Sequence, residues 1–424
     1  MPLNWCYRNR KQIFLFLIFL GSGFACQQKN ELREETIIRK PLELSKEELY
    51  DRILGSLVGG AIGDAMGAPT EMWSREAIQG TFGFVSSLDS MIRETSPEGI
   101  WIANLPAGGT TDDTRWKILT ADYLTKQKSD ALAPQLFAKS IIEKYESFIE
   151  DFDQLKDNSP EGYEETMMKA NWLSEWYKVA VPFVQADYLA YSDSLSKFYG
   201  GEMVCAGLLY APTLGLFYPG DPELAYQQAY KLSIFDLGYA RDLTALSAAM
   251  TAAGMNKNAS SDSLLASIRI DTEGYFQSRL VGRSAFKLFE QAKWIANEAK
   301  KQDSTPDRLA LSSPALNFAF QQLDLKQQDM PFHAGEIYLQ TLTAMLFADF
   351  DFKSTLIFLV NYGRDNDTTA ALAGSILGAW KGFNQLPEEE RAIALRTNRE
   401  LLGIDLEAMA AQLTDHIWEL SLGK

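Results

Sequence analysis

Apolar residues recur at steps of three and four along most of this chain, which is the spacing of one face of an α-helix. The alternation that is typical of strands is missing from long stretches. Ser45-Lys46-Glu47-Glu48 is a capping-box pattern and predicts the start of a helix. The apolar stripe of this helix is Leu49, Ile53, Leu57, Ala61 and Ala65. Further helices are predicted at 115–126, 134–148, 222–231, 240–255 and 335–347. The pattern predicts an all-α fold, with one domain over residues 45–424.

Two predicted helices carry small residues every fourth position. They are Gly55, Gly59, Gly63 and Gly67 in the first helix, and Ala370, Gly374, Gly378 and Gly382 in the second. A glycine inside a helix costs about 1 kcal/mol relative to alanine, so a packing interaction must offset that cost. We therefore expect the two ridges to pack closely at the centre of a helical bundle. That contact would bring the residues beside both ridges into one place.

The first 25 residues are typical of an export signal, because three basic residues precede the apolar run 13–20 and small residues follow it. That run is shorter than the roughly 20 residues of a membrane-spanning helix. Gly23-Phe24-Ala25-Cys26 resembles a lipoprotein processing box, which predicts removal of 1–25 and a lipid on Cys26. Residues 26–44 are polar and predicted to form a solvated tether. The expected location is the periplasm or the surface of a bacterial cell, with the lipid as the contact to the membrane.

Charge and cysteine content narrow the classes of function. The formal net charge is −16, and the predicted signal carries three positive charges and no negative ones. Such an acidic protein repels nucleic acid, so we expect no nucleic-acid partner. With Cys6 in the signal and Cys26 lipidated, Cys205 is the remaining thiol, which excludes a disulfide framework. Its apolar neighbours Met203 and Val204 favour a buried cysteine over a nucleophile.

Acidic clusters lie at or near the ends of three predicted helices, in 63–71, 108–114 and 361–369. One Asp or Thr at such a place is explained as a helix cap. Capping needs a single side chain, however, whereas the second and third clusters hold the pairs Asp112 with Asp113 and Asp365 with Asp367. Crowded carboxylates repel one another unless a cation neutralises them. The clusters therefore point to a metal.

The donor atoms indicate which metal. Carboxylate and hydroxyl oxygens are hard ligands and favour Mg²⁺ or Mn²⁺. The chain has two histidines, His333 and His416, which do not make a typical zinc shell with one thiol. His333 is expected to be structural and His416 to be a surface or packing residue, and no motif supports serine–histidine catalysis.

The three acidic stretches resemble the motifs of the ADP-ribosylglycohydrolase family. That family's glycine-spaced helix, ending in Gly-Asp-Ala and leading to a glutamate, is matched by 55–71. Its Thr-Asp-Asp-Thr motif is matched by 111–114, and its Asp-x-Asp-Thr motif with the following small-residue helix by 365–382. The motifs occur in family order across most of the chain. The resemblance implies a compact orthogonal helical bundle with a dinuclear Mg²⁺ or Mn²⁺ site.

The resemblance also implies roles for individual residues. The implied metal ligands are Thr111, Asp112, Asp113, Asp365, Asp367 and Thr368. Glu71 lies beside the metals in that family, and we expect Glu71 and Asp113 to handle protons or position water. The implied reaction is hydrolysis of a bond from C1 of a ribosyl group to nitrogen or oxygen. The substrate would be an ADP-ribosyl conjugate or a related small ribosyl compound.

Other positions depart from the family pattern. Arg364 stands where many members have glycine, and it either meets an anionic part of the substrate or pairs with a neighbouring acid, the commoner fate of such an arginine. Gly200 and Gly201 weakly resemble the family's glycine-rich substrate loop, so we predict that they bind substrate. Phe235 replaces a histidine of many relatives. The tryptophan-rich stretch 171–177 is core or a stacking surface. An altered specificity pocket on an intact metal platform is expected.

Two alternatives to an enzyme stay open from the sequence. One is a non-catalytic surface lipoprotein that binds a ligand with the same fold. The other is a structural lipoprotein whose acidic clusters are only helix caps. Retention of all six implied metal ligands and Glu71 favours the enzyme.

Overall fold

A computed structural model describes residues 37, 39–155, 160–272, 274, 280–303 and 308–423. The predicted export signal and the predicted lipid site at Cys26 lie outside these residues. Within them the regular structure is helical, and the only β-type pairing consists of two isolated bridges, Met91 with Leu105 and Val204 with His333. The all-α prediction is confirmed. None of the helices in this described part is both long and apolar enough to cross a bilayer.

The helices in chain order are α1 Lys46–Gly67, α2 Arg75–Phe82, α3 Asp112–Thr125, α4 Pro134–Asp153, α5 Pro160–Val184, α6 Tyr188–Lys197, α7 Ala206–Leu216, α8 Pro222–Leu232, α9 Ala240–Gly254, α10 Ser261–Ala266, α11 Ser284–Gln302, α12 Pro314–Asp324, α13 Ala334–Phe347, α14 Phe352–Tyr362, α15 Asn366–Lys381, α16 Glu388–Leu401 and α17 Leu406–Ser421. Short 3-10 helices lie at Ala68–Thr70, Phe198–Gly201, Ser267–Arg269 and Phe383–Gln385.

Helix α1 runs through the centre of the bundle. It begins at the expected capping box, where the Glu48 amide donates to Ser45 Oγ at 3.2 Å and the Ser45 amide donates to the Glu48 carboxylate at 2.8 Å. Every residue from Ile53 to the end of α1 is buried. A helix that is buried all round has no solvent face, so α1 is a core element. Helices α3, α15 and α17 pack around it.

The two small-residue ridges pack against each other as expected. A Cβ atom built on Gly55 would lie 2.5 Å from the carbonyl oxygen of Gly378, and one built on Gly59 would overlap the carbonyl of Gly374. One built on Gly63 would overlap the carbonyl of Ala370. No side chain fits between these backbones, and the close contact of α1 with α15 offsets the helical cost of the glycines.

The other predicted helices are present with shifted ends. Helix α3 begins at Asp112, earlier than the periodic pattern, because Thr111 is its N-cap and its hydroxyl accepts from the Asp113 amide at 3.4 Å. Helix α4 extends beyond the expected end to Asp153.

The prediction of a solvated tether over 26–44 is wrong at its end. Leu44 is buried, and Arg39 forms an ion pair with Asp130 at 2.7 Å. The Arg39 guanidinium also lies 4.9 Å from the centre of the Phe217 ring. Apolar burial and a cation–aromatic contact fix this segment to the helical domain.

Candidate active site

The contact between α1 and α15 places two acidic segments side by side. A Cβ atom on Gly67, the last residue of α1, would lie 2.5 Å from the Cα atom of Asp367. Just beyond, the backbones of the two loops are joined, because the Met72 amide donates to the Arg364 carbonyl at 2.7 Å and the Arg364 amide donates to the Trp73 carbonyl at 3.1 Å. Met72 and Arg364 both have left-handed backbones, with φ of 64° and 65°. The strained loops hold the end of α1 against the start of α15.

Three carboxylates meet at this junction. Oxygen atoms of Glu71, Asp365 and Asp367 all lie within 4.8 Å of one another. The Thr111 hydroxyl lies 3.3 Å from Asp367 Oδ2. Residues from distant parts of the chain therefore form one acidic cluster, and all three motifs contribute to it.

The second motif is also joined directly to the third. The Thr368 hydroxyl donates to Asp113 Oδ2 at 2.9 Å. The same carboxylate is approached by Lys117, whose ammonium group lies 3.4 Å from Asp113 Oδ1 and donates to the Asp113 carbonyl at 2.9 Å. Lys117 and Asp113 are each 2% exposed. This buried ion pair fixes the first turn of α3.

Asp64, near the end of α1, organises the second motif. Its carboxylate accepts hydrogen bonds from the amide and hydroxyl of Thr111, both at 3.0 Å. It also accepts from the amide of Thr114 at 3.0 Å and from the Thr114 hydroxyl at 2.6 Å. Asp64 is buried, and its burial followed by the neighbouring Asp113 raises its pKa to about 6. We assign Asp64 a positioning role, because its oxygens are occupied by these donors.

The cluster is electrostatically unfavourable without a cation. Burial and then neighbouring carboxylates raise the pKa of Asp112 and of Asp367. Burial also raises the pKa of Asp365 to about 7. Asp367 Oδ1 is buried and has no hydrogen-bond donor among the described residues. A buried carboxylate oxygen without a partner is rare in proteins. Here the neighbouring groups are also carboxylates, which do not donate hydrogen bonds when they are ionised.

A cavity of about 320 Å³ opens on the cluster. Its acidic side is formed by Glu71, Glu98, Asp112, Asp365 and Asp367. Aromatic residues form part of its other side, namely Trp176, Tyr199 and Phe332. A concave site with convergent polar groups and aromatic walls is typical of a small-molecule site, and the raised pKa values indicate a functional one.

The residues predicted to bind substrate do not line this cavity. Arg364 forms a bidentate ion pair with Glu336, at 2.8 and 2.9 Å, and donates to the Gln328 carbonyl at 2.7 Å. It does not line the cavity, so its side chain has the pairing role that was the expected alternative. Gly200 and Gly201 are not among the residues that line the cavity either. The lining of the cavity therefore does not support the prediction that they bind substrate. Their left-handed backbones shape the loop that presents Tyr199.

Sequence reasoning missed two acidic-site neighbours. Arg93 donates to Glu71 Oε2 at 2.5 Å and to the Ala68 carbonyl at 3.1 Å, which holds the Glu71 side chain at the cavity. Glu98 lines the cavity and accepts from the Tyr199 hydroxyl at 3.2 Å. Both lie in the irregular segment between α2 and α3, where no periodicity marks them.

The remaining candidates are mainly structural. Cys205 is buried as expected, although it also lines the cavity, with Sγ 4.0 Å from Asp365 Oδ2. Phe235 is fully buried against Trp176, with ring centres 4.8 Å apart. His333 caps α13 by accepting from the Gly335 amide at 3.1 Å, and the His416 ring stacks on Phe217.

The fold and the site define a helical protein of the ADP-ribosylglycohydrolase class. Residues 45–421 match the family model described as ADP-ribosylglycohydrolase, and the chain belongs to that family. A solved structure titled "ADP-ribosylglycohydrolase-related protein complex" has the same fold, with a TM-score of 0.53, 21% sequence identity, and coverage of 87% of this chain and 99% of that chain.

A curated relative matches over a shorter length. "Uncharacterized protein YegU" of Escherichia coli (strain K12) is 31% identical over 93 residues, which are 22% of this chain. The match spans 26% of the relative's own length.

Proposed function

We propose that the protein is a glycohydrolase that cleaves the bond from C1 of a ribosyl group to nitrogen or oxygen. The observation that carries the proposal is the meeting of the Glu71, Asp365 and Asp367 carboxylates within 4.8 Å, on the wall of a cavity of ligand size. Membership of the ADP-ribosylglycohydrolase family supports the same reaction class. Carboxylates beside an anomeric carbon can take up and return the protons that such a cleavage moves.

We propose that the oxygen donors of this site hold two divalent cations, Mg²⁺ or Mn²⁺. The unpartnered Asp367 Oδ1 and the crowding of buried carboxylates both favour a cation. All the donors are hard oxygen atoms. The residues that would hold the ions are Thr111, Asp112, Asp113, Asp365, Asp367 and Thr368. When bound, the ions would bind sugar hydroxyls and activate water.

Glu71 is assigned the proton-handling role. Its Oε2 accepts from Arg93, which leaves Oε1 to accept the proton of the attacking water. Asp113 does not line the cavity, and its oxygens are engaged by Lys117 and Thr368. We therefore assign Asp113 to positioning of the first turn of α3 and of Thr368, in addition to its place in the metal set.

The test is product release from ribosyl substrates. The purified protein with Mg²⁺ or Mn²⁺ is incubated with ADP-ribosylated arginine and serine peptides and with unphosphorylated ribosides, and free sugar is measured. Glu71→Gln should lower kcat at least about 100-fold, which is the lower contribution of general acid–base catalysis. Glu94→Gln, the same change on an exposed side chain, should keep full activity. Failure to release sugar from any substrate would overturn the proposal, and binding without release would favour a ligand-binding protein.

We further propose that the chain is exported and anchored by a lipid on Cys26. The support is the basic residues, the apolar run and the processing-box pattern of the first 26 residues. The wild-type protein should enter the membrane fraction of its cell, and Cys26→Ser should shift it to the soluble exported fraction. Mass spectrometry of the mature N-terminus should find a diacylated or triacylated Cys26. An unmodified N-terminal methionine would contradict the proposal.

A further inference from the structure

Lys117 is a buried cation beside the acidic cluster. Its side chain is 2% exposed, and it lies on α3 one turn after Asp113. Its ammonium group donates to the Asp113 carbonyl at 2.9 Å and lies 3.4 Å from Asp113 Oδ1. Among the described residues, Asp113 is the carboxylate that forms an ion pair with it. A lysine is almost never fully buried unless it is paired, so the charge of Lys117 depends on Asp113.

The packing of the core leaves room for this side chain. A Cβ atom built on Gly60 of α1 would lie 3.2 Å from Lys117 Cε and 3.3 Å from Lys117 Cδ. The same Cβ atom would overlap the hydroxyl of Ser375 on α15. The alkyl chain of Lys117 therefore lies against α1 at a position where only glycine fits, close to the contact of α1 with α15. Lys117 is part of the core packing, and its ammonium group is held in place next to Asp113.

Both oxygens of the Asp113 carboxylate already have partners. Oδ1 faces the ammonium group of Lys117, and Oδ2 accepts from the Thr368 hydroxyl at 2.9 Å. The charge of this carboxylate is therefore matched in the protein without ions. A divalent cation that binds Asp113 comes close to the ammonium group, and two positive charges repel each other strongly where water is excluded.

The carboxylates of the third motif are in the opposite situation. Asp365 and Asp367 form no ion pair with a lysine or arginine in the described part of the chain, since Arg93, Lys117 and Arg364 pair with other acids. Asp367 Oδ1 is buried and has no hydrogen-bond donor among these residues. Crowded carboxylates without a counter-charge favour a cation. An ion at Asp365 and Asp367 therefore meets less opposing charge than an ion at Asp113.

We infer, on the basis of the metal site proposed above, that Lys117 is an internal counter-ion of Asp113 that makes the two divalent cations bind with unequal affinity. Asp365 and Asp367 take up the first ion tightly. Asp113 takes up the second ion weakly, because that ion approaches the ammonium group of Lys117. Lys117 acts through Asp113 and does not line the cavity, so it is a positioning residue. Hydrolysis that needs both ions then requires a higher metal concentration than the first ion alone.

The test counts bound ions directly. Chelator-treated protein is titrated with Mn²⁺, and free Mn²⁺ is measured by its EPR signal. The wild type should bind two ions, with a second Kd at least about 10-fold above the first. Lys117→Met keeps an unbranched side chain and removes the charge. It should lower the second Kd at least about 10-fold, as expected for removal of a buried like charge, and should lower the first Kd by less.

Lys126→Met is the matched control. Lys126 follows the last residue of α3 and forms an ion pair with Asp122, four residues earlier, at 2.6 Å, but both side chains are exposed. This variant should bind both ions as the wild type does. Lys117→Gln removes the same charge and keeps an amide donor. It should also tighten the second ion, and it serves as the test if Lys117→Met does not fold.

Thermal unfolding separates a counter-ion from a residue that only fills space. Without ions, Lys117→Met should have a lower Tm than the wild type, because Asp113 keeps a buried charge without a partner. Mn²⁺ should then raise the Tm of the variant by more than that of the wild type, since the second ion supplies the missing charge. A lower Tm with an unchanged response to Mn²⁺ would indicate a packing role alone.

Equal affinity of the two ions in the wild type would overturn the inference and leave the hydrolase intact. A second Kd that Lys117→Met and Lys117→Gln leave unchanged would do the same. Absence of Mn²⁺ binding in the wild type would instead overturn the proposed metal set. Hydrolysis is measured separately on the ADP-ribosyl peptides and ribosides, and no release of sugar with both ions bound would overturn the proposed function.

Discussion

Asp64 shows how one side chain sets the geometry of a motif 47 residues away. It accepts from two amides and two hydroxyls of Thr111 and Thr114. In Asp64→Asn one acceptor oxygen becomes an NH₂ group that faces the donors of the motif. Each buried polar group that loses its hydrogen-bond partner in this way costs about 1–3 kcal/mol of stability. We expect the free energy of unfolding in urea to fall by at least about 2 kcal/mol, and kcat to fall as the motif shifts. Asp122→Asn, in an exposed ion pair on α3, should change stability by less than about 1 kcal/mol.

Arg364 allows a similar test of an ion pair against a substrate contact. Glu336 is 2% exposed and Arg364 is 20% exposed. Removing one partner of a fully buried pair costs about 3–5 kcal/mol, and the partial exposure of Arg364 lowers the expected cost of Arg364→Met to about 2–3 kcal/mol. The KM should stay within about twofold, since the guanidinium lies outside the cavity wall.

The double variant Arg364→Met with Glu336→Gln supplies the control. It removes both charges and should recover part of the lost stability, because no buried carboxylate is left alone. A large rise in KM with unchanged stability would assign Arg364 to the substrate instead.

At the scale of elements, the fold depends on the backbone contact of α1 with α15. In an exposed helix, alanine is more stable than glycine by about 1 kcal/mol. Gly59→Ala should have the opposite sign, because the new Cβ overlaps the Gly374 carbonyl and lies 3.2 Å from its carbon. We expect a loss of about 3 kcal/mol or more, the upper range for overpacking, measured by urea unfolding. Gly80→Ala in α2 meets no atom within 4 Å and should stabilise by about 0.4–1 kcal/mol. Equal effects of the two changes would contradict the packing argument.

The sequence predicted a contact where residues are unfavourable in a helix unless another helix packs closely against them. The glycines of α1 and α15 predicted the contact between these two helices. That contact brings together the acidic motifs beside them. Glu98 and Arg93 could not be predicted in the same way, because the segment between α2 and α3 has no regular period. Tyr199 was also hidden, since nothing in a tyrosine signals a left-handed backbone. The pairing of Arg364 with a specific acid joins residues 28 apart and needed the tertiary structure.

For the whole molecule, the acidic cluster is a place where stability is given up for function. Two motifs near the start of the domain and one near its end meet there, so an ion bound between them links all three. Because burial and nearby carboxylates raise the pKa of Asp367, its charged form is unfavourable in the ion-free protein. A ligand that binds only the folded state stabilises it by about 2.7 kcal/mol at 100 times its Kd. Mg²⁺ or Mn²⁺ should therefore raise the Tm by a few degrees, because the shift per kcal/mol, about 2–4 °C in domains of 150–250 residues, is smaller in a longer domain such as this one.

Asp367→Asn provides the sharpest form of this prediction, because its two effects have opposite signs. Removing the charge should raise the Tm of the chelator-treated protein above that of the wild type, since like-charge repulsion is relieved. The same change should abolish the rise with Mg²⁺ or Mn²⁺, since a ligand is lost. Asp122→Asn should keep both the wild-type Tm and the metal response. Equal metal-induced shifts in wild type and Asp367→Asn, recorded by differential scanning calorimetry, would place the ions elsewhere and remove the physical basis of the proposed site.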